Sequence, residues 1–206
     1  MLKSSLVDGK EVDRKLAIFA RLGLNPNALS MMALALALCG FLALWRSLLI
    51  LGLILFLLSG FMDMVDGAVA RATGQSTQLG AFLDGVLDRY VEFLLILGLM
   101  AYLGQGAELF LPMGFWIVLL IFGSLMTTFV RAYADHRGLV KDPDILAHKM
   151  GGFLERAERL MLLYVGMFGA LLFTDLWLMA AIVIAAVLSN LTAIQRVYLA
   201  MKYGQN

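Results

Sequence analysis

The stretch "FMDMVDGAVARATGQSTQLGAFLDGVLDRY", Phe61 to Tyr90, carries four aspartates in a chain that is otherwise mostly apolar. Asp63 and Asp66 are three residues apart and Asp84 and Asp88 are four apart. Both spacings place a pair on one face of a helix. The intervening "ARATGQSTQLG" is short, so the two helices are antiparallel neighbours whose carboxylate faces can converge. Oxygen ligands without His or Cys suit Mg²⁺ or Mn²⁺ rather than zinc. Arg71 adds a fixed cation with the planar fork that fits phosphate oxygens. Gly67, Ala70 and Gly80 leave room for something large to approach the backbone. This is equipment for a phosphorylated substrate. The bland alternative for either pair alone is a solvated helix face.

The elements around these residues belong to a membrane. Of 206 residues, 62% are hydrophobic, against about 45–50% in soluble domains. Apolar runs of bilayer length occur six times, near 29–45, 48–69, 80–103, 110–133, 153–174 and 176–200. The expected fold is therefore an all-α membrane protein of six transmembrane helices in a single domain, 1–206. Residues 1–28 form a juxtamembrane segment and 29–206 the bundle. In "EVDRKLAIFARLGL", Val12, Leu16 and Phe19 recur at helical spacing with Asp13, Lys15 and Arg21 on other faces. That pattern predicts an amphipathic helix lying in the interface. Pro26 then breaks it, and Asn27 is placed to cap the first span.

On six spans the termini share a side, and of the sixteen Lys and Arg only Arg46 faces the other. The positive-inside rule then puts both termini and the aspartates at the cytoplasmic face of the cell membrane. A formal charge of +1 says nothing about partners, and the single cysteine, Cys39, allows no intrachain disulfide or thiolate metal site. Nothing in this pattern implies nucleic acid. Four unpaired aspartates deep in spans would cost about 10–14 kcal/mol, and Arg71 and Arg89 can neutralise only two. Bound divalent cations remove the conflict.

Asp63-x-x-Asp66-Gly67-x-x-Ala70-Arg71, eight residues, then Gly80-x-x-x-Asp84-x-x-x-Asp88 resembles the complete signature of the CDP-alcohol phosphotransferase (phosphatidyltransferase) family. A chance match at eight fixed positions is on the order of 10⁻⁸ for a chain of this length. The six-span layout, the N-terminal helix and the "NPN" turn extend the resemblance over nearly the whole chain. It implies transfer of a phosphatidyl-type group from a CDP-linked lipid to an alcohol, releasing CMP, with two Mg²⁺ or Mn²⁺ ions, in a homodimer. By the same resemblance Asp63, Asp66, Asp84 and Asp88 bind metal and Asp88 is the general base. Asn25, Pro26, Asn27, Ala28, Asp66, Gly67, Ala70, Arg71, Thr77 and Gly80 bind the CDP-lipid. Many relatives have threonine where Asn25 stands. Thr77 either caps the third span or binds nucleotide, and Glu92 either reaches the site or pairs with Arg89.

Downstream, "VRAYADHRGLVKDPDILAHKMGGFLERAERLMLL" holds Arg131, Arg137, Lys149, Arg156 and Arg159. An acceptor that already carries a phosphate needs such a cluster, although inside-positive bias and pairing with Glu155 and Glu158 account for part of it. "GGFLERAERL" resembles the branch that uses inositol 1-phosphate, the archaetidylinositol phosphate and phosphatidylinositol phosphate synthases; those relatives commonly have proline at Ala157. That resemblance favours inositol 1-phosphate as acceptor, and the segment between Arg131 and Arg159, which resembles the archaeal version, favours CDP-archaeol as donor. The alternatives are a CDP-diacylglycerol-dependent phosphatidylinositol phosphate synthase, a phosphatidylglycerophosphate synthase, an enzyme joining CDP-inositol to inositol phosphate and, from another class, a cation transporter. A transporter predicts acids deep in several spans, whereas here they cluster in one helix pair.

Overall fold

A computed structural model describes residues 26–74, 77–104, 106–140, 145 and 150–204. The interfacial helix expected before Pro26, together with Asn25, and the segment holding Lys149 lie outside the described residues. Within them the chain is helical: α1 Pro26–Trp45, α2 Leu49–Ala72, α3 Gln78–Leu103, α4 Met113–His136, α5 Arg156–Leu172 and α6 Leu176–Tyr203. Each expected span corresponds to one helix, with ends shifted by a few residues. The exception to all-α is a two-residue antiparallel ladder, β1 Glu108–Leu109 with β2 Leu111–Pro112. Phe110 makes its turn at φ 61°, and the Trp116 indole N–H donates to Leu109 O at 2.9 Å.

Six helices are present among the described residues, but the expectation of six spans needs correction. Only four of them, Ala28–Trp45 within α1, then α2, α4 and α6, are long and apolar enough to cross a membrane by themselves. The physical reasons differ for the other two. Between Asp84 and Glu92, α3 carries four charged residues, Asp84, Asp88, Arg89 and Glu92. At 17 residues, α5 begins with Arg156, Glu158 and Arg159 and is about 25 Å long. The chain is an integral membrane protein. Large apolar side chains such as Ile50, Leu57, Phe122, Phe129 and Ile194 are exposed along these helices, as lipid contact requires.

The chain forms two compact units, Met1–Tyr102 and Leu103–Asn206. In the first, α1 and α2 are joined by a turn in which Ser47 takes φ 59° and Leu48 N–H donates to Ala43 O at 2.9 Å. Leu44 is wholly buried between Gly52 of α2 and Gly98 of α3, where a Cβ on either glycine would collide with it. One large side chain set into two notches brings three helices together. The α1–α2 register is held by two hydroxyls. Ser59 Oγ donates to Ala33 O at 2.7 Å, and Ser30 Oγ donates to Asp66 Oδ2 at 2.6 Å.

In the second unit α6 packs on α4 and α5. Asn190 Nδ2 donates to Leu119 O at 2.9 Å, and Gly123 admits Ser189 and Asn190. Gly166 and Gly169 of α5 lie against Ala181 and Trp177 of α6. The segment before α5 is pinned at Thr192: Leu154 N–H donates to its Oγ1 at 3.0 Å, and a Cβ on Gly152 would fall on its methyl.

Candidate active site

The carboxylates sit where α2 ends and α3 begins. "MDMVDGAVAR" continues α2 to Ala72, and Thr77 starts α3 as its N-cap, Oγ1 accepting the Gly80 N–H at 3.0 Å. The short connection reverses the chain and sets Asp84 beside the end of α2. Asp63, Asp66 and Asp84 each offer a carboxylate oxygen within 4.8 Å of the others. Asp66 is buried, Asp63 half-buried and Asp84 exposed. Three like charges this close repel strongly unless a cation lies among them, and an all-carboxylate set fits Mg²⁺ or Mn²⁺. The donor chemistry therefore fits the divalent ions expected from the sequence.

Asp88 is half-buried one turn further along α3. It is not among the three clustered carboxylates. Of the residues expected to bind a CDP-lipid, Gly67, Ala70 and Arg71 occupy the last two turns of α2. A Cβ on Gly67 would meet the Arg71 guanidinium at 3.2 Å, so glycine here leaves the Arg71 fork its position. Ala28 is exposed in the first turns of α1, which Pro26 opens. Thr77 is a cap, and its hydroxyl proton is still available for donation. Glu92 is buried.

The arginines expected to hold an acceptor phosphate all belong to the second unit. Arg131 and Arg137 are exposed, Arg137 with its guanidinium 5.5 Å from the Tyr133 ring centre. Arg156 is half-buried as the first residue of α5. There Glu155 N–H donates to the Glu158 carboxylate at 3.1 Å. Arg159 is 1% exposed, and its Nη2 donates to Ser124 Oγ at 3.0 Å. Sequence reasoning counted Arg196 only as a cytoplasmic charge. It is buried; its Nη1 donates to Thr127 O at 2.6 Å and its Nη2 lies 3.9 Å from Glu155. A signal was present: Ser189, Thr192 and Arg196 recur at i, i+3 and i+7, a polar stripe on a mostly apolar helix, and all three are buried. Ser30 was also missed; its partner is 36 residues away, and no local pattern shows it.

Residues 24–195 match the CDP-alcohol phosphatidyltransferase family. The chain belongs to that family. It is a transferase, and the match runs through both units. Among named relatives, it is 36% identical over 148 residues to the archaetidylinositol phosphate synthase of Methanothermobacter thermautotrophicus, covering 72% of this chain and 68% of that one. Its fold is similar to that of the Mycobacterium tuberculosis phosphatidylinositol phosphate synthase. The structure of that enzyme with CDP-DAG bound superposes with a TM-score of 0.77 at 26% identity, covering 91% of this chain and 94% of the other. The structure in complex with manganese and citrate gives 0.75 at 26% identity, covering 94% and 88%. A manganese-binding relative agrees with the carboxylate chemistry found here.

Proposed function

We propose that this phosphatidyltransferase moves the phospholipid moiety of CDP-archaeol onto inositol 1-phosphate, forming archaetidylinositol phosphate and releasing CMP. The observation that carries the reading is the convergence of Asp63, Asp66 and Asp84 within 4.8 Å at the end of an apolar helix. The similarity to an archaetidylinositol phosphate synthase supports the choice of substrates. Asp63, Asp66, Asp84 and Asp88 would hold two Mg²⁺ or Mn²⁺ ions. Such ions, when bound, polarise the pyrophosphate and stabilise the leaving phosphate oxygen.

The chain's own residues do the rest. Arg71 holds a phosphate oxygen of the CDP-lipid through its planar fork. Asp66, Gly67, Ala70, Thr77 and Gly80 line the nucleotide with Asn25, Pro26, Asn27 and Ala28. Asp88 takes the proton of the attacking inositol hydroxyl. The freed oxygen bonds to the lipid-bearing phosphorus, the phosphorus–oxygen bond to CMP breaks, and CMP leaves with that electron pair. Arg131, Arg156 and Arg159 hold the acceptor phosphate, with Arg137 and Lys149 in lesser roles, and we add Arg196 because it is a buried cation beside Thr127 O.

The whole chain works as one membrane domain and as a homodimer. An interfacial helix precedes α1. Both termini and the aspartates face the cytoplasm, consistent with the lysine and arginine bias. A second donor, CDP-diacylglycerol, is favoured by one observation, the CDP-DAG held by the tuberculosis relative.

The test offers purified protein and Mg²⁺ either inositol 1-phosphate or glycerol 3-phosphate, each with CDP-archaeol or CDP-diacylglycerol, and identifies the lipid product by mass spectrometry. Archaetidylinositol phosphate as the main product supports the proposal. Product from glycerol 3-phosphate alone overturns the reading of the arginines, and preference for CDP-diacylglycerol overturns the donor.

A further inference from the structure

Asp66 is the most buried member of the carboxylate cluster, 4% exposed, and a neighbouring helix touches it through a hydroxyl. Ser30 Oγ donates to its Oδ2 at 2.6 Å, across 36 residues of sequence. The serine stands in the second turn of α1, between the buried Leu29 and the Ala33 carbonyl that receives Ser59. Leu29, Val65 and Val69 close an apolar cluster around this point. A carboxylate in such surroundings is held by whatever polar group the neighbouring helix offers. A hydroxyl suits that role because it is neutral: it occupies one lone pair of one oxygen and leaves the negative charge and the remaining lone pairs for a cation. A lysine or arginine there would instead neutralise the charge that the cation needs.

We propose that Ser30 is a positioning residue of the carboxylate site, orienting Asp66 from α1 so that its charge joins those of Asp63 and Asp84 in holding a divalent cation. Hydrogen bonds to metal-binding carboxylates fix their orientation, and losing them typically weakens metal affinity by about 10–100-fold. The inference rests on Asp63, Asp66 and Asp84 being metal ligands. It makes α1 part of the metal site as well as a wall of the bundle. Ser59 supplies the comparison. It ties the same two helices through Ala33 O at 2.7 Å, is buried where Ser30 is half-buried, and belongs to none of the site residues.

The experiment titrates Mn²⁺ into metal-stripped, purified full-length protein in detergent, following free Mn²⁺ by electron paramagnetic resonance, with thermal unfolding of the apo protein recorded alongside. Ser30→Ala is expected to raise the Mn²⁺ Kd about tenfold or more, Ser30→Thr to restore it, and Ser59→Ala to lower the unfolding temperature with the Kd unchanged. Folded Ser30→Ala with wild-type Kd overturns the inference. So does Ser30→Thr as weak as Ser30→Ala, or Ser59→Ala as weak as Ser30→Ala, since the effect then belongs to helix packing. If Ser30→Ala does not fold, Ser30→Cys takes its place: its weak thiol donor is expected to raise the Kd, and an unchanged Kd overturns the inference. A wild-type protein that binds Mn²⁺ no better than Asp66→Asn overturns the metal site itself, an outcome distinct from failure of Ser30 alone.

Discussion

Each of the four aspartates has its own environment, and the consequences differ. Asp66 is buried and accepts a hydrogen bond from Ser30, Asp84 is exposed, and Asp88 is half-buried one turn further along the same helix. Asp88→Asn is expected to reduce kcat by about 10²–10⁴-fold, the usual contribution of a general base, while Mn²⁺ uptake by the other three carboxylates persists. A loss of Mn²⁺ binding as severe as in Asp66→Asn would make Asp88 chiefly a ligand. Arg159 is a buried guanidinium bonded to Ser124. Its replacement by alanine is expected to raise KM for a phosphorylated acceptor roughly 10–100-fold, the worth of a hydrogen bond to a charged group, with KM for the CDP-lipid unchanged. Equal effects on both KM values would indicate a structural role. The aspartates were legible in the sequence because their spacing is local and their cost in an apolar chain demands an explanation. Ser30 was not, because what defines it is a contact with Asp66 far along the chain, and Arg196 showed only as one member of a polar stripe, its contact with Thr127 being equally distant.

Helix number and order followed from apolar run length, and the cap of α3 from Thr77. Other features depend on shape complementarity that no period reports. Leu44 fills notches at Gly52 and Gly98, glycines that in sequence read only as small residues in apolar runs. Leu44→Ala is expected to cost about 2–5 kcal/mol and to lower the unfolding temperature in detergent; a change near zero would mean that the three helices repack without it. Thr77→Ala should cost about 1 kcal/mol through the lost cap, and Thr77→Ser should recover most of it. A Thr77→Ser variant as unstable as Thr77→Ala would contradict capping through the hydroxyl. The ladder at 108–112 escaped prediction because its turn residue is Phe110 at φ 61°, where glycine or asparagine would have been the signal.

Across the whole molecule, composition alone established the membrane class, yet run length overcounted the helices that are spans in their own right. Segment 80–103 is long enough but includes Asp84, Asp88, Arg89 and Glu92, and α5 is only 17 residues long. Sidedness can be read with single cysteines placed in a Cys39→Ala background. A cysteine at Ser47, in the α1–α2 turn, is expected to react with an impermeant maleimide from outside intact cells, and one at Gly74, after α2, only after lysis. The reverse pattern would invert the orientation. A family match spanning both units and a three-carboxylate cluster lead to the central claim: metal held by Asp63, Asp66 and Asp84 is what lets this chain cleave a CDP-linked lipid. The most direct measurement is CMP release from a CDP-linked lipid with inositol 1-phosphate. It compares the wild-type protein with Asp84→Asn, after chelation and again after Mn²⁺ is restored. Release is expected to vanish on chelation, to return with Mn²⁺ in the wild type and not to return in Asp84→Asn. Release that survives chelation, or returns equally in Asp84→Asn, would contradict the claim.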